Sequence, residues 1–214
     1  MRIAGCVFAC QWVFTCILKF AEGTPHELLW LSHVALLLSA VGGLLNRGLV
    51  IQTALVAVLG PHAVWLGDFF SSRVLGASPL AVTAYLTDAP WWVWVGTAHH
   101  FYLAPTLVWL VTRQDRLYRT ALWMASILLL YLTVLSRAFL PVSSNVNYAF
   151  GLFSPAEPGL FDSLNRLPES AYLLVLNAGV TLMLFTPAAG LIALLSKPGK
   201  HKHPTRVPSV DVCG

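Results

Sequence analysis

What most constrains this chain is a succession of apolar runs, each approaching the length needed to cross a bilayer. A hydrocarbon core about 30 Å thick takes roughly 20 helical residues. Six runs come near that length, at roughly 3–20, 28–46, 49–70, 91–112, 120–141 and 171–195. In lipid every backbone N–H and C=O must be satisfied internally, so runs of this kind read as helices. Composition agrees, because 57% of the 214 residues are hydrophobic and 10% are charged, against about 25% charged in ordinary soluble domains. The sequence therefore predicts an all-α fold, a polytopic integral membrane bundle of about six transmembrane helices in a single domain, 1–195. A basic, proline-containing tail at 196–214 is expected to be disordered. The first run follows Arg2 as a signal peptide would. No small-residue cleavage site comes after it, and Lys19 ends it as a snorkelling boundary does, so it reads as a span.

Basic residues orient the bundle. With six spans, one side carries Arg2, Arg47, Arg113, Arg116, Arg119, Lys197, Lys200, Lys202 and Arg206, nine of the 13 basic residues, and the other carries Lys19, Arg73, Arg137 and Arg166. Cytoplasmic loops hold the excess of lysine and arginine, so both termini are expected in the cytoplasm. The net charge of +4 reflects this bias and gives no reason to expect nucleic acid; membrane lipids are the expected partners. Cysteine is uninformative: Cys6, Cys10 and Cys16 share the first run, Cys213 lies in the tail, and no C-x-x-C pair occurs. Trp91, Trp92 and Trp94 open the fourth run as an interfacial belt.

Polar residues inside the runs are the informative ones, because ionisable groups at bilayer depth are costly and face a bundle interior or a cavity. They are Ser32 and His33 in the second run, His62 and Asp68 in the third, and His99 and His100 in the fourth. Ser143, Ser144, Asn145, Asn147 and Tyr148 form a polar cluster just after the fifth. At 1.5 Å per residue, Ser32 lies about 6 Å below the outer end of its run and His100 about 9 Å below Trp94, so the two can share a level. Adjacent helical residues point about 100° apart. One of His99 and His100 should therefore face a cavity while the other packs against a neighbour. His62 follows Gly60 and Pro61 and is expected to bond a carbonyl freed by the proline; Asp68, near the end of its run, can be solvated. Five histidines lie in or near the runs (His26, His33, His62, His99 and His100), but no two share a helix face at ligand spacing. Neither a metal nor another cofactor is expected on that ground.

Three stretches carry a resemblance to a known family: LLWLSH at 28–33, GTAHHFYLAP at 96–105, and SNVNYAFGLFSP followed by LFDSLNRLPESAY across 144–172. They are similar to the membrane proteins grouped around transmembrane protein 164 and the bacterial YwaF proteins, and more remotely to the androgen-induced-gene-type fatty-acid-ester hydrolases. The likeness covers most of residues 28–195. It implies a membrane bundle acting on lipid acyl groups, with a nucleophile at the position of Ser32 and a partner histidine at His100 or else His99. The family's histidine two residues before the nucleophile is replaced by Trp30, and the acid just after it by His33.

The resulting expectation is a lipid hydrolase or acyltransferase with Ser32 as nucleophile and His100 as general base, the imidazole taking the hydroxyl proton. His33, His99, Asn145, Asn147 and Tyr148 would contact the substrate, the loop residues as oxyanion or headgroup donors. The asparagines can equally serve only the loop's own backbone. The competing expectation is a non-enzymatic transporter or lipid-binding protein whose histidines are structural or handle protons.

Overall fold

The computed structural model describes residues 1–76, 80–114, 117–152 and 161–195; the tail expected to be disordered lies outside them. Regular structure among the described residues is entirely helical. The helices are α1 (Arg2–Ala21), α2 (Leu31–Leu44), α3 (Gly48–Val74), α4 (Trp91–Thr97), α5 (His99–Val111), α6 (Thr120–Phe139), α7 (Asp162–Asn165), α8 (Glu169–Val180) and α9 (Thr186–Leu195). A π-helical turn, Thr181–Phe185, joins α8 to α9. Among the described residues, four helical stretches are long and apolar enough to cross a membrane: α1, α3, α6 and the continuous Glu169–Leu195.

The second and fourth predicted runs differ from that standard. α2 has 14 residues, about 21 Å at 1.5 Å per residue, because Pro25–Leu29 ahead of it forms a 3-10 turn instead of helix. The fourth run is two helices, interrupted at Ala98, where the Phe101 N–H turns to the Ala98 carbonyl three residues back. Both departures fall where the polar residues are.

α3 is the axis of the bundle. Residues 51–58 are buried without a break, as befits a helix surrounded on all sides, and α2, α5, α6 and α9 pack around it. The core joins Leu36 of α2, Ile51, Ala54 and Leu55 of α3, Leu103 and Leu107 of α5, and Phe185 of the π turn. α1 joins this core through Phe8 and packs mainly against α2, at a crossing where Gly5 and Gly43 meet backbone to backbone. A Cβ at Gly43 would lie 2.7 Å from the Gly5 Cα, and one at Gly5 would lie 2.5 Å from the Leu44 N. Such close approach is how small residues let helices associate in lipid, where dispersion contacts must replace the hydrophobic drive.

The bundle has two distinct ends. At one, Met1 and Arg2 share a surface hollow with Asn46 and Trp109, and Gln52 of α3 holds Gln114 and Tyr118, donating to the Gln114 side chain and accepting from the Tyr118 N–H. At the other, the long connections are pinned to helix ends by side chains. The Asp68 carboxylate accepts from the N–H groups of Leu80 and Thr83 and from the Thr83 hydroxyl. Asp68 is therefore a loop anchor, not the solvated group its place in the sequence suggested. Arg137 donates to the Ala149 carbonyl and pairs with Glu169.

Candidate functional site

A cavity of about 740 Å³ opens at the end of the bundle where these loops are pinned, and Ser32, His33, Trp65, Thr97, His100 and Tyr148 are among its lining residues. Its rim is charged: Lys19 bridges Glu22 and Glu27 at 2.9 and 2.7 Å, and Asp88 stands nearby on the lining. Ser32 and His100, 68 positions apart in sequence, thus reach one space from α2 and α5.

The helix interruption at Ala98 explains how the histidines are held. Side chains in a first helical turn lean back toward the N-terminus, and here two imidazoles lean onto carbonyls of the broken turn. His99 Nδ1 bonds the Gly96 carbonyl at 2.9 Å and His100 Nδ1 the Thr97 carbonyl at 3.0 Å. Gln11 of α1 donates to the carbonyls of Val95 and Gly96. A carbonyl can only accept, so in both histidines Nδ1 carries the hydrogen and Nε2 carries the lone pair. His33 is fixed in the same way, with Nδ1 on the Glu27 carbonyl at 2.7 Å.

The rings cluster. His99 and His100 have centroids 4.2 Å apart, His62 and His100 4.6 Å, His33 and His99 5.4 Å, and His62 and His99 6.0 Å. Trp65 stacks on His100 at 4.5 Å. His100 lines the cavity, whereas His99 is fully buried behind it with His62. The expected division between the two adjacent histidines therefore describes their exposure, but not their company: both rings belong to one cluster. His62 departs from expectation. Neither of its ring nitrogens has a hydrogen-bond partner, so it does not serve the carbonyl freed by Pro61. No spacing rule would have joined it to a pair 37 residues on.

The loop cluster divides by role. Asn145, in the left-handed region at φ 37°, accepts from the N–H groups of Phe150 and Gly151 and donates to the Gly151 carbonyl, so its amide is committed to the loop itself. Asn147, at φ 56°, reaches across to α2: its Oδ1 accepts from the Leu31 N–H at 2.7 Å and its Nδ2 donates to the Leu29 carbonyl at 2.8 Å. It fixes the start of the helix one residue before Ser32. Tyr148 lines the cavity, packs edge-on against Trp30 at 5.7 Å, and accepts at its carbonyl from the Tyr172 hydroxyl. Burial, reinforced by the charges of Asp68 and Tyr85, pushes its phenol up to about 12, so it stays a neutral donor.

Helices alone among the described residues, four of them fit to cross a membrane, and a cavity backed by four histidines make up the class that fold and site define. Compared with protein-family models, with curated proteins and with solved structures, the chain matches none.

Proposed function

We propose that the chain is a multi-pass membrane protein that cleaves or transfers fatty-acyl esters in this cavity, with Ser32 as nucleophile and His100 as base. The observation that carries the reading is that Ser32 and His100, from two helices, line the same space with Tyr148 beside them. The acyl-ester substrate class comes from the resemblance of the 28–33, 96–105 and 144–172 stretches to the transmembrane protein 164 and YwaF group.

The chemistry follows from the tautomer. With Nδ1–H bound to the Thr97 carbonyl, the free lone pair of His100 is on Nε2. Ser32 Oγ attacks the ester carbonyl carbon while that nitrogen takes the hydroxyl proton. The Tyr148 hydroxyl supplies a hydrogen bond to the oxyanion that forms. The intermediate collapses, the leaving alkoxide takes the proton from His100, and an acyl-Ser32 ester remains. Water then completes a hydrolase, or a second lipid hydroxyl a transferase. Asn147, whose amide is spent on Leu29 and Leu31, is a positioning residue for Ser32. In the membrane, the six helical runs are all embedded, with α2 and the α4–α5 pair bringing polar residues partway in, and both termini in the cytoplasm.

A serine-directed fluorophosphonate tests this. The wild type in detergent or nanodiscs, stripped with a chelator, should be labelled, Ser32→Ala should not, and His100→Ala should be labelled at least about 100-fold more slowly, within the range a general base contributes. An unlabelled wild type, or labelling that survives Ser32→Ala, removes the mechanism and favours a binding or transport role for the same cavity.

A further inference from the structure

The geometry points to a transition-metal site behind the cavity, in which His62, His99 and His100 bind a divalent ion such as Zn²⁺. One ring nitrogen from each lies within 4.8 Å of the others. Tetrahedral coordination with bonds of about 2.0–2.1 Å separates ligand nitrogens by about 3.3 Å. His99 and His100 are held by their carbonyl bonds, while His62 has no hydrogen bond to hold its ring, so it is the one free to close the remaining gap.

The second observation is a shortage of hydrogens. His62 is 1% exposed and His99 0%, yet both nitrogens of His62 and Nε2 of His99 have no partner. Buried polar groups in native proteins are satisfied, and each exception calls for a cause. With Nδ1–H of His99 and His100 committed to Gly96 and Thr97, the cluster is left with two Nε2 lone pairs and one from His62, against a single N–H on His62. One water can donate to two acceptors and no more. A cation accepts all three lone pairs at once. The remaining pattern is also that of metal-binding histidine, which gives its other ring N–H to a backbone carbonyl and so fixes tautomer and ring plane.

Three imidazoles and no acid make a borderline nitrogen site that suits zinc, cobalt, nickel or copper over magnesium or calcium. Three neutral ligands leave the ion its full double charge, which favours an anionic oxygen as the fourth ligand. His100 is the member that lines the cavity, so the open position faces the space where Ser32 and His33 also lie. The site does not depend on ester chemistry at Ser32, but the two readings share one atom. Nε2 of His100 can take the serine proton or ligate the ion, not both, so zinc loading suppresses fluorophosphonate labelling and a chelator restores it.

The test uses the full chain in nanodiscs, stripped with a chelator and then titrated with Zn²⁺ or Co²⁺. Wild type should bind one ion per chain, with the visible absorption of four-coordinate cobalt. His62→Ala and His99→Ala should weaken uptake by more than the roughly 10–100-fold that loss of an outer partner costs. His201→Ala/His203→Ala, which removes the closely spaced tail pair, should leave it unchanged. No uptake by the wild type, or uptake lost with the tail pair and kept without His62, overturns the site. Because an alanine variant can lose metal by misfolding, X-ray absorption of the zinc-loaded wild type reads the ligands directly. Imidazole nitrogens at about 2.0–2.1 Å support the site, and a shell without imidazole overturns it. The readings fail separately: labelling without metal uptake sinks this site alone, and metal uptake by a protein that stays unlabelled even after chelator stripping sinks the ester chemistry alone.

Discussion

Asn147 shows how much of the site depends on side chains outside its lining. It is 5% exposed, sits in the left-handed region and serves two main-chain groups of the turn before α2. Asparagine tolerates that conformation better than other side-chain-bearing residues. Asn147→Ala should strand the Leu31 N–H and the Leu29 carbonyl at about 1–3 kcal/mol each, and destabilise the protein by roughly 2–6 kcal/mol before backbone strain is added. Denaturant unfolding in detergent measures this, and a loss under about 0.5 kcal/mol, the ordinary range of surface substitutions, would show that the clamp is incidental. Folded Asn147→Ala should also label more slowly at Ser32, since the helix start it holds is one residue away. The sequence marked Asn147 and Tyr148 as polar residues near a cavity mouth. It could not separate them from Asn145, because hydrogen-bond partners 116 and 118 positions away leave no local trace. The same limit explains His62: burial and want of a partner are properties of the packed bundle, not of the residues beside it.

At the scale of elements, apolar run length was legible and helix integrity was not. Each predicted run is largely helical, and four stretches have the length and composition of spans. Hydropathy cannot see that Pro25–Leu29 coils into a 3-10 turn whose Glu27 carbonyl is taken by the His33 ring, or that the fourth run breaks at Ala98. These two interruptions bring Ser32 and His100 to one cavity, so the part of the fold hardest to read is the part that builds the site. The crossing of α1 and α2 can be probed separately. Gly43→Val places a branched side chain where even a Cβ would lie 2.7 Å from the Gly5 Cα, and neither backbone can give way without separating the helices. Overpacking of this kind costs about 1–3 kcal/mol, and Gly43→Val should lower the midpoint of thermal unfolding while leaving the histidine cluster and its metal uptake intact. An unchanged midpoint would mean that α1 is not bound to α2 by this contact.

Across the whole molecule, charge and structure divide along the same line. Arg2, Arg47, Arg113 and Arg119 gather with the N-terminus at the end where Met1, Asn46 and Trp109 meet, and no acid accompanies them among the described residues. The cavity end carries Lys19, Arg73, Arg137 and Arg166, but also Glu22, Glu27, Asp68, Asp88, Asp162 and Glu169, several of them paired or holding loops. Lysine and arginine are retained on the cytoplasmic side during insertion, whereas acids contribute little. On that rule, the proposed topology puts the arginine end inward and the cavity opening outward. Single cysteines on a background lacking Cys6, Cys10, Cys16 and Cys213 make this measurable, using the exposed positions Gly76 and Leu167 at the cavity end and Asn46 at the other. In right-side-out vesicles a membrane-impermeant maleimide should modify the cysteines at 76 and 167 at once, and the one at 46 only after permeabilisation. The reverse pattern would turn the molecule over and point the cavity at the cytoplasm. Labelling of all three before permeabilisation would mean that no barrier separates the two ends. With the proposed ester chemistry in this orientation, the acyl substrate would come from the outer leaflet, so the same vesicles, given a fluorogenic ester confined to that leaflet, should show turnover that Ser32→Ala abolishes.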